Sequence, residues 1–527
     1  MTNKLNFARG LLRGSSALSA LAVIGGGFVA STVVATPAFA QDIAAASLSG
    51  TVVDENGNPV AGATVTATAV DRAIVRTATT GSTGSYNFAL LPVGTYTLTA
   101  TAPGYGTTRV TEAQAALGGS AYTLRLGAAA AGQEGEEIVV TGRVAREVDF
   151  SQTATGVVLD VQEVAARVPV PRTLEGIALL APQTVQGDAA FGNVVALAGS
   201  SAAENIYYIN GMNITNFRNF LGGSTVPFEF YDQVQVKTGG YQAEFGRSTG
   251  GAIIALSRSG SNQFRGGANA FWSPAGFRWA QPNIYPGAAG GNNERDRVEN
   301  IEGNIWASGP IIPNRAYFFG FFNPRYAKQR YEALPTTAGG SFTRTYLESN
   351  TPFYGGKVDI DLFQGHRAEF TYFNDSNTDV YRNYTVTGGG SANNGFGVET
   401  PGPVTRDFMG GENYIARYTG NITQWLTISG LYGRSKYDRT TAGSEDNLPL
   451  TYDSRQGIQQ FQLLQGGVAE TGKDQRELYR ADVDVFANLL GQHHFRFGFD
   501  HEILTAEALT FYSGVLQGQG YNRIFNS

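Results

Sequence analysis

From Ser261 onward the chain alternates apolar and polar side chains with a period of two, which confines it to extended strands with unlike faces. In the run from Tyr479 to Val485, Tyr479, Ala481, Val483 and Val485 share one face and Arg480, Asp482 and Asp484 the other. Val358, Ile360 and Leu362 oppose Asp359 and Asp361 in the same way, and Phe495, Phe497 and Phe499 oppose Arg496 and Asp500. A soluble sandwich and a lipid-facing barrel both produce this alternation, so period alone does not separate them. The connections do. Strands are expected near 264–272, 298–307, 316–327, 355–363, 367–375, 412–421, 424–437, 477–488 and 493–505. The segments between them are alternately long (273–297, 328–354, 376–411, 438–476) and short (308–315, 364–366, 422–423, 489–492). Tight turns at one end and long loops at the other are the habit of outer-membrane barrels.

Composition removes several other classes. With 16% charged and 12% aromatic residues and 68 glycines in 527, neither a disordered chain nor a coiled coil is expected. The net charge of -6 comes without a basic patch to neutralise phosphates, so nucleic acid is not an expected partner. The absence of Cys excludes disulfides, thiolate metal sites and a cysteine nucleophile. The four histidines, at 366, 493, 494 and 501, form no zinc-hydrolase pattern, so neither an enzyme nor a cofactor or metal is expected. At the N-terminus, Lys4, Arg9 and Arg13 precede an apolar stretch and then Ala38-Phe39-Ala40, the arrangement of a signal peptide spanning residues 1–40.

Between Ala46 and Leu126 short alternating runs of Ala, Thr, Val and Gly are broken by turn residues, which predicts about seven strands in a β-sandwich. Asp54, Asn56 and Asn58 have the spacing of a calcium loop, but Val65 stands where its closing Glu is needed, and a hairpin turn is expected instead. The segments Gly50-Thr51-Val52-Val53-Asp54, Gly57-Asn58-Pro59-Val60-Ala61-Gly62-Ala63 and Leu91-Pro92-Val93-Gly94-Thr95-Tyr96 resemble the carboxypeptidase regulatory-like domain, a transthyretin-like sandwich grouped with carbohydrate-binding-like folds.

A small-residue linker follows, and residues 127–149 include Glu136, Glu137, Ile138, Val139, Val140 and Thr141. The Ile138–Val140 core is β-prone and could pair edge to edge with a partner strand. This segment resembles the TonB box of TonB-dependent outer-membrane receptors. Residues 150–260 read as a compact α+β unit. Within it, Tyr207-Tyr208-Ile209-Asn210-Gly211 and the run Gly239-Gly240-Tyr241-Gln242-Ala243-Glu244-Phe245-Gly246-Arg247-Ser248-Thr249-Gly250-Gly251 resemble the plug of those receptors, with Asn210 for the usual Asp and Phe245 for the usual Tyr. Asn210-Gly211 suits a type I′ turn, so the first departure keeps the hairpin. No Lys-Ser/Thr follows the glycines, which argues against a phosphate loop. Glu244 and Arg247 are expected to contact barrel charges, with an ion pair within the plug as the alternative.

The turn Ser308–Arg315 and the following Ala316–Gly320 resemble the first periplasmic hairpin of the Oar-like subgroup, and Trp306, Tyr317 and Phe319 would join its aromatic girdle. The fold class implied is mainly β: a transthyretin-like sandwich (46–126), an α+β plug and, over 261–527, the first part of a large antiparallel transmembrane barrel. About nine strands fall short of the roughly 22 of a plugged transporter barrel, so the sequence is expected to be an N-terminal fragment. The resemblance implies a receptor in the outer membrane of a Gram-negative-type bacterium, its N-terminal domain periplasmic. It would contact outer-membrane lipid, take up an external ligand (peptide, glycan or chelate) and be energised by TonB and its inner-membrane complex. The alternative is a surface carbohydrate-binding or adhesin protein, for which Tyr105 and Tyr122 are the solvent-facing aromatic candidates.

Overall fold

The computed structural model describes residues 43–128, 138–140, 154–168, 172–188, 194–279, 282, 293–332, 342–387, 398–444, 451–453, 462–465, 468–488, 492–513 and 522–524. The expected signal peptide lies outside them, as do Glu136, Glu137 and Thr141.

Seven strands build the sandwich: β1 (Ala46–Val53), β2 (Thr64–Ala69), β3 (Val75–Thr79), β4 (Ser85–Leu91), β5 (Gly94–Thr101), β6 (Thr108–Ala115) and β7 (Ser120–Arg125). They form two sheets, β4-β1-β7 and β3-β2-β5-β6, and the second is extended beyond β6 by β8 (Ile138–Val140). Leu48, Val52, Val65, Ala67, Leu98 and Leu124 are fully buried between them. The Asp54 turn is the hairpin expected: Asp54 Oδ1 accepts from the amides of Asn56 at 2.9 Å and Asn58 at 2.8 Å. The Asn58 side chain adds a third bond, and together these hold the carboxyl below its ordinary range.

The plug holds β9 (Thr155–Asp160), α1 (Val161–Arg167), α2 (Leu174–Ala178), β10 (Thr184–Gln186), β11 (Val195–Leu197), β12 (Ile206–Ile209), β13 (Met212–Asn213), β14 (Tyr231–Gly239) and β15 (Ala252–Ser257). Its five-stranded sheet runs β13-β12-β15-β14-β9. Asp160 caps α1 by accepting from the Glu163 amide, and Thr173 caps α2 by accepting from that of Gly176, which places both starts where the sequence offers a side-chain oxygen. The β12-β13 hairpin turns on Asn210 and Gly211 at φ of 49° and 88°, the doubly positive geometry of a type I′ turn.

Thirteen of the remaining strands form one antiparallel sheet, the wall, while Gln462–Gln465, Thr451–Asp453 and Asn522–Ile524 form a separate three-stranded sheet. The wall's phase matches the sequence in the long strands, where Phe495, Phe497 and Phe499 are 48–67% exposed while Asp482 and Asp484 are buried. Two expectations change. The strand Ala316–Asn323 buries Tyr317, Phe319 and Phe321, and Trp306 faces inward beneath Arg258 of the plug, so the residues expected in a lipid-side girdle instead pack inside. Phe318 and Phe322 occupy the opposite phase, since a strand of continuous aromatics does not declare which alternate set is buried. The segments expected as long loops also carry strands, Arg325–Glu332, Phe342–Ser349, Asn377–Thr387 and Val398–Gly410, which pair in series and extend the sheet. Their two faces are both polar, so they lack the apolar stripe that announces a strand.

Wall and extension meet at a seam. Pro324 separates Ala316–Asn323 from Arg325–Glu332, Asp375 and Ser376 separate His366–Asn374 from Asn377–Thr387, and Gly410, at φ 78°, and Gly411 separate Val398–Gly410 from Glu412–Asn421. Asp375 is buried there and accepts from the amides of Gly411 at 2.9 Å and of plug residue Thr225 at 3.1 Å. Among the described residues no helix is long and apolar enough to cross a membrane, which leaves crossing by strands untouched.

Candidate functional site

Ile138, Val139 and Val140 pair in parallel with Thr108, Arg109 and Val110, so this three-residue segment lies along the edge of β6 opposite β5.

The plug segment between β14 and β15 carries the glycine-rich run. Phe245 is buried, meets Tyr208 and Tyr241 edge to face, and lies 4.5 Å beneath the Lys237 ammonium. Burial lowers that ammonium to about 8, against the opposing pull of Glu244. Glu244 Oε2 lies 3.2 Å from Arg496 Nε, and Arg247, itself at φ 60°, places Nη1 2.6 Å from Glu502 Oε2. Both partners lie on the wall strand Gln492–Tyr512, so these two charges cross from plug to wall rather than pairing within the plug. Gly251 admits no side chain: a Cβ there would lie 2.5 Å from Leu197 Cδ1 and 2.6 Å from the Lys237 carbonyl. Gly250 is crowded by Ser200 and Asn205, whereas Gly246 is open.

Asn210 reaches the wall from the other hairpin. Its Nδ2 donates to Ser257 Oγ at 2.7 Å and to Thr371 Oγ1 of the wall at 2.9 Å, while Oδ1 accepts from the Ser257 amide at 2.9 Å. An Asp could accept but not donate at these positions, which gives the Asn a physical reason. A Cβ on Gly211 would sit 2.9 Å from wall residue Leu431. Arg218 Nε donates to Asp474 at 3.1 Å and Arg476 donates to the Asn213 carbonyl at 2.6 Å, adding two more plug-to-wall contacts.

A third cluster joins sandwich, plug and wall and was not legible in the sequence. Arg72, between β2 and β3, is buried with Nη2 3.7 Å from Asp359 Oδ2 and 2.5 Å from the Gly260 carbonyl, over the ring of Tyr317. Asp359 also pairs with Lys357 at 3.5 Å and Arg367 at 3.0 Å. The Asn262 amide donates to the Asp71 carbonyl, the Leu117 amide to plug residue Gln233 and Arg417 of the wall to the Ala44 carbonyl. Alternation had placed Asp359 on the inner face, but nothing local tied it to an arginine of the sandwich. The joint borders a cavity of about 990 Å³.

Asp232 lines that cavity, and burial, reinforced by Asp160 and opposed by Arg258, raises its carboxyl to about 6. The folded state then keeps a proton that the unfolded chain releases near pH 4, so this contribution to stability is full below that pH and is lost as pH rises through 6. From pH 5 to 7.5 the protein should lose about 1 kcal/mol through this group. Thermal midpoints in detergent should show the loss and Asp232→Asn should abolish it; an unchanged slope in that variant would assign the effect elsewhere.

Tyr122 is not available to a ligand. It is 4% exposed, and its hydroxyl accepts from the Gln114 amide at 2.8 Å, so Tyr105 remains as the exposed member of the expected aromatic pair. Among the described residues no group of three or more His, Asp or Glu side chains is placed to hold a metal ion.

This combination of sandwich, plug and antiparallel wall resembles a TonB-dependent receptor of the Oar-like type. Residues 47–127 match the family model of the carboxypeptidase regulatory-like domain. The chain is 28% identical over 370 residues to the TonB-dependent transporter Oar of Myxococcus xanthus, an alignment covering 63% of this chain and 33% of that protein. The chain thus spans about one third of the length of the curated relative it matches. Among solved structures, the siderophore receptor PirA of Acinetobacter baumannii is similar at 13% identity and a TM-score of 0.40, covering 66% of this chain and 47% of that one. The outer membrane transporter YddB of Escherichia coli is similar at 10% identity and a TM-score of 0.43, covering 68% and 54%.

Proposed function

We propose that the chain serves an outer-membrane receptor that takes up an external ligand, with residues 136–141 as the segment engaged by TonB and the inner-membrane complex behind it. In this reading residues 1–40 direct export, the sandwich faces the periplasm and the extended strands beyond the seam face outward. The observation that carries it is the way the plug is held. Among the described residues its sheet and the wall are separate sheets with no backbone ladder between them, joined by side-chain contacts such as Glu244–Arg496 and Arg247–Glu502. A unit so held can be shifted by parting side-chain contacts, whereas a laddered strand would have to be unzipped.

The box supplies the handle, because an extended segment can add to a partner's sheet through its backbone. Ile138→Pro removes a donor from that edge. The purified periplasmic domain of TonB should therefore bind the full-length variant at least about tenfold more weakly than the parent, a cost of about 1.4 kcal/mol or more. Equal affinity, with the variant still folded by gel mobility before and after heating, would remove residues 136–141 from the mechanism.

A further inference from the structure

The sandwich does more than precede the box: we infer that the β6 edge is its resting dock, and that TonB must compete with β6 for the same three residues. This inference rests on the box assignment proposed above.

The chain is led to the dock. After β7, Gly127 accepts from the Gly106 amide at 2.9 Å and Ala128 bridges to Tyr105, which anchors the linker three residues before β6 begins. Ile138 pairs with Thr108 and Val140 with Val110. Without it, the N-terminal half of β6 would present an open edge, and open edges recruit strands. The box is the covering strand within reach.

The added strand is built to leave. It is three residues long, parallel and, among the described residues, bonded to one neighbour, whereas the other parallel pair of the sandwich, β1 with β7, runs for six residues with β1 held on both sides. Short parallel edge pairing is the weakest form of sheet contact, so a partner offering a longer ladder displaces it. Because both contacts use backbone groups of the same residues, β6 and a partner strand on that edge exclude one another. The other side of β6 stays paired with β5 after release, so the sandwich survives the exchange.

The chain's lack of cysteine makes the dock directly testable. Arg109 and Val139 are register partners, and Arg109 is exposed, so Arg109→Cys with Val139→Cys introduces one candidate disulfide into the full-length protein. Mild oxidation should close it in most molecules. The oxidised protein should bind the periplasmic domain of TonB at least tenfold more weakly than the same sample after reduction. Failure of the disulfide to form would overturn the dock, and equal TonB binding in both redox states would overturn the competition. Amide exchange in the unsubstituted protein gives a check free of folding artefacts. Adding the TonB domain should increase exchange within Thr108–Val110 several-fold, and unchanged protection there on TonB binding would also overturn the inference. Disulfide formation does not depend on TonB, so closure of the bond together with undiminished TonB binding by Ile138→Pro would retire the box assignment while leaving the dock intact.

Discussion

Truncating Phe230 to alanine should lower stability by about 3–5 kcal/mol, the range for emptying a fully buried aromatic site. Phe230 has no exposed surface and sits in the plug among four wall phenylalanines, with ring centroids of Phe353 at 5.4 Å, Phe319 and Phe321 at 5.9 Å and Phe373 at 6.0 Å. Gly355 opens the space for it, since a Cβ there would approach the Phe230 ring edge at 3.2 Å. Relaxation cannot fill the void cheaply, because its lining belongs to three laddered wall strands. Denaturant midpoints in detergent would measure the loss, and a change below about 1 kcal/mol would mean that the cluster closes over the gap. The ring contacts of the plug gather against Ala316–Asn374, while Glu244 and Arg247 pair with Arg496 and Glu502 of Gln492–Tyr512.

The second large effect is expected at Asp359. Replacing it with leucine leaves Arg72, Lys357 and Arg367 buried around a lost counter-charge, and removing one partner from such a group costs about 3–5 kcal/mol. The cost should appear as release of the sandwich, because Arg72 is the sandwich side chain paired with Asp359. Amide exchange at Asn262, whose N–H is bonded to the Asp71 carbonyl, would report that release. A midpoint within about 1 kcal/mol of the parent with Asn262 still protected would show that Glu369, which already pairs with Lys357 at 2.8 Å and Arg367 at 3.4 Å, suffices to hold both charges.

Much of the architecture is written in local pattern. The turn-punctuated runs of the sandwich, the Asn210-Gly211 hairpin and the inward acids Asp482 and Asp484 all follow from periodicity and turn chemistry. What failed to show has two physical causes. Polar strands such as Arg325–Glu332 owe their pairing to neighbours already in the sheet, and Phe318 to Phe322 are apolar in both phases, so neither segment carries a sign of which face is buried. The candidate sites divide along the same line. Glu244 and Arg247 stand out beside the glycines of their segment, but their partners Arg496 and Glu502 lie some 250 residues away in sequence, at separations of 252 and 255. Arg72 is one arginine of a sandwich loop until the fold brings it to Asp359.

The seam at Pro324, Asp375 and Gly410 insulates register. Adding or deleting one residue in a continuous strand would turn every later side chain to the opposite face. Pro324 offers no amide to the ladder and Gly410 bends at positive φ, so the strands beyond the seam need not keep step with those before it. Changes of length beyond these breaks would leave Asp359, on Phe353–Phe363, pointing inward, whereas Arg297–Ile312, Leu426–Gly443, Val468–Asn488 and Gln492–Tyr512 run on without a break. Variation in length is therefore best tolerated in the strands that the seam cuts off.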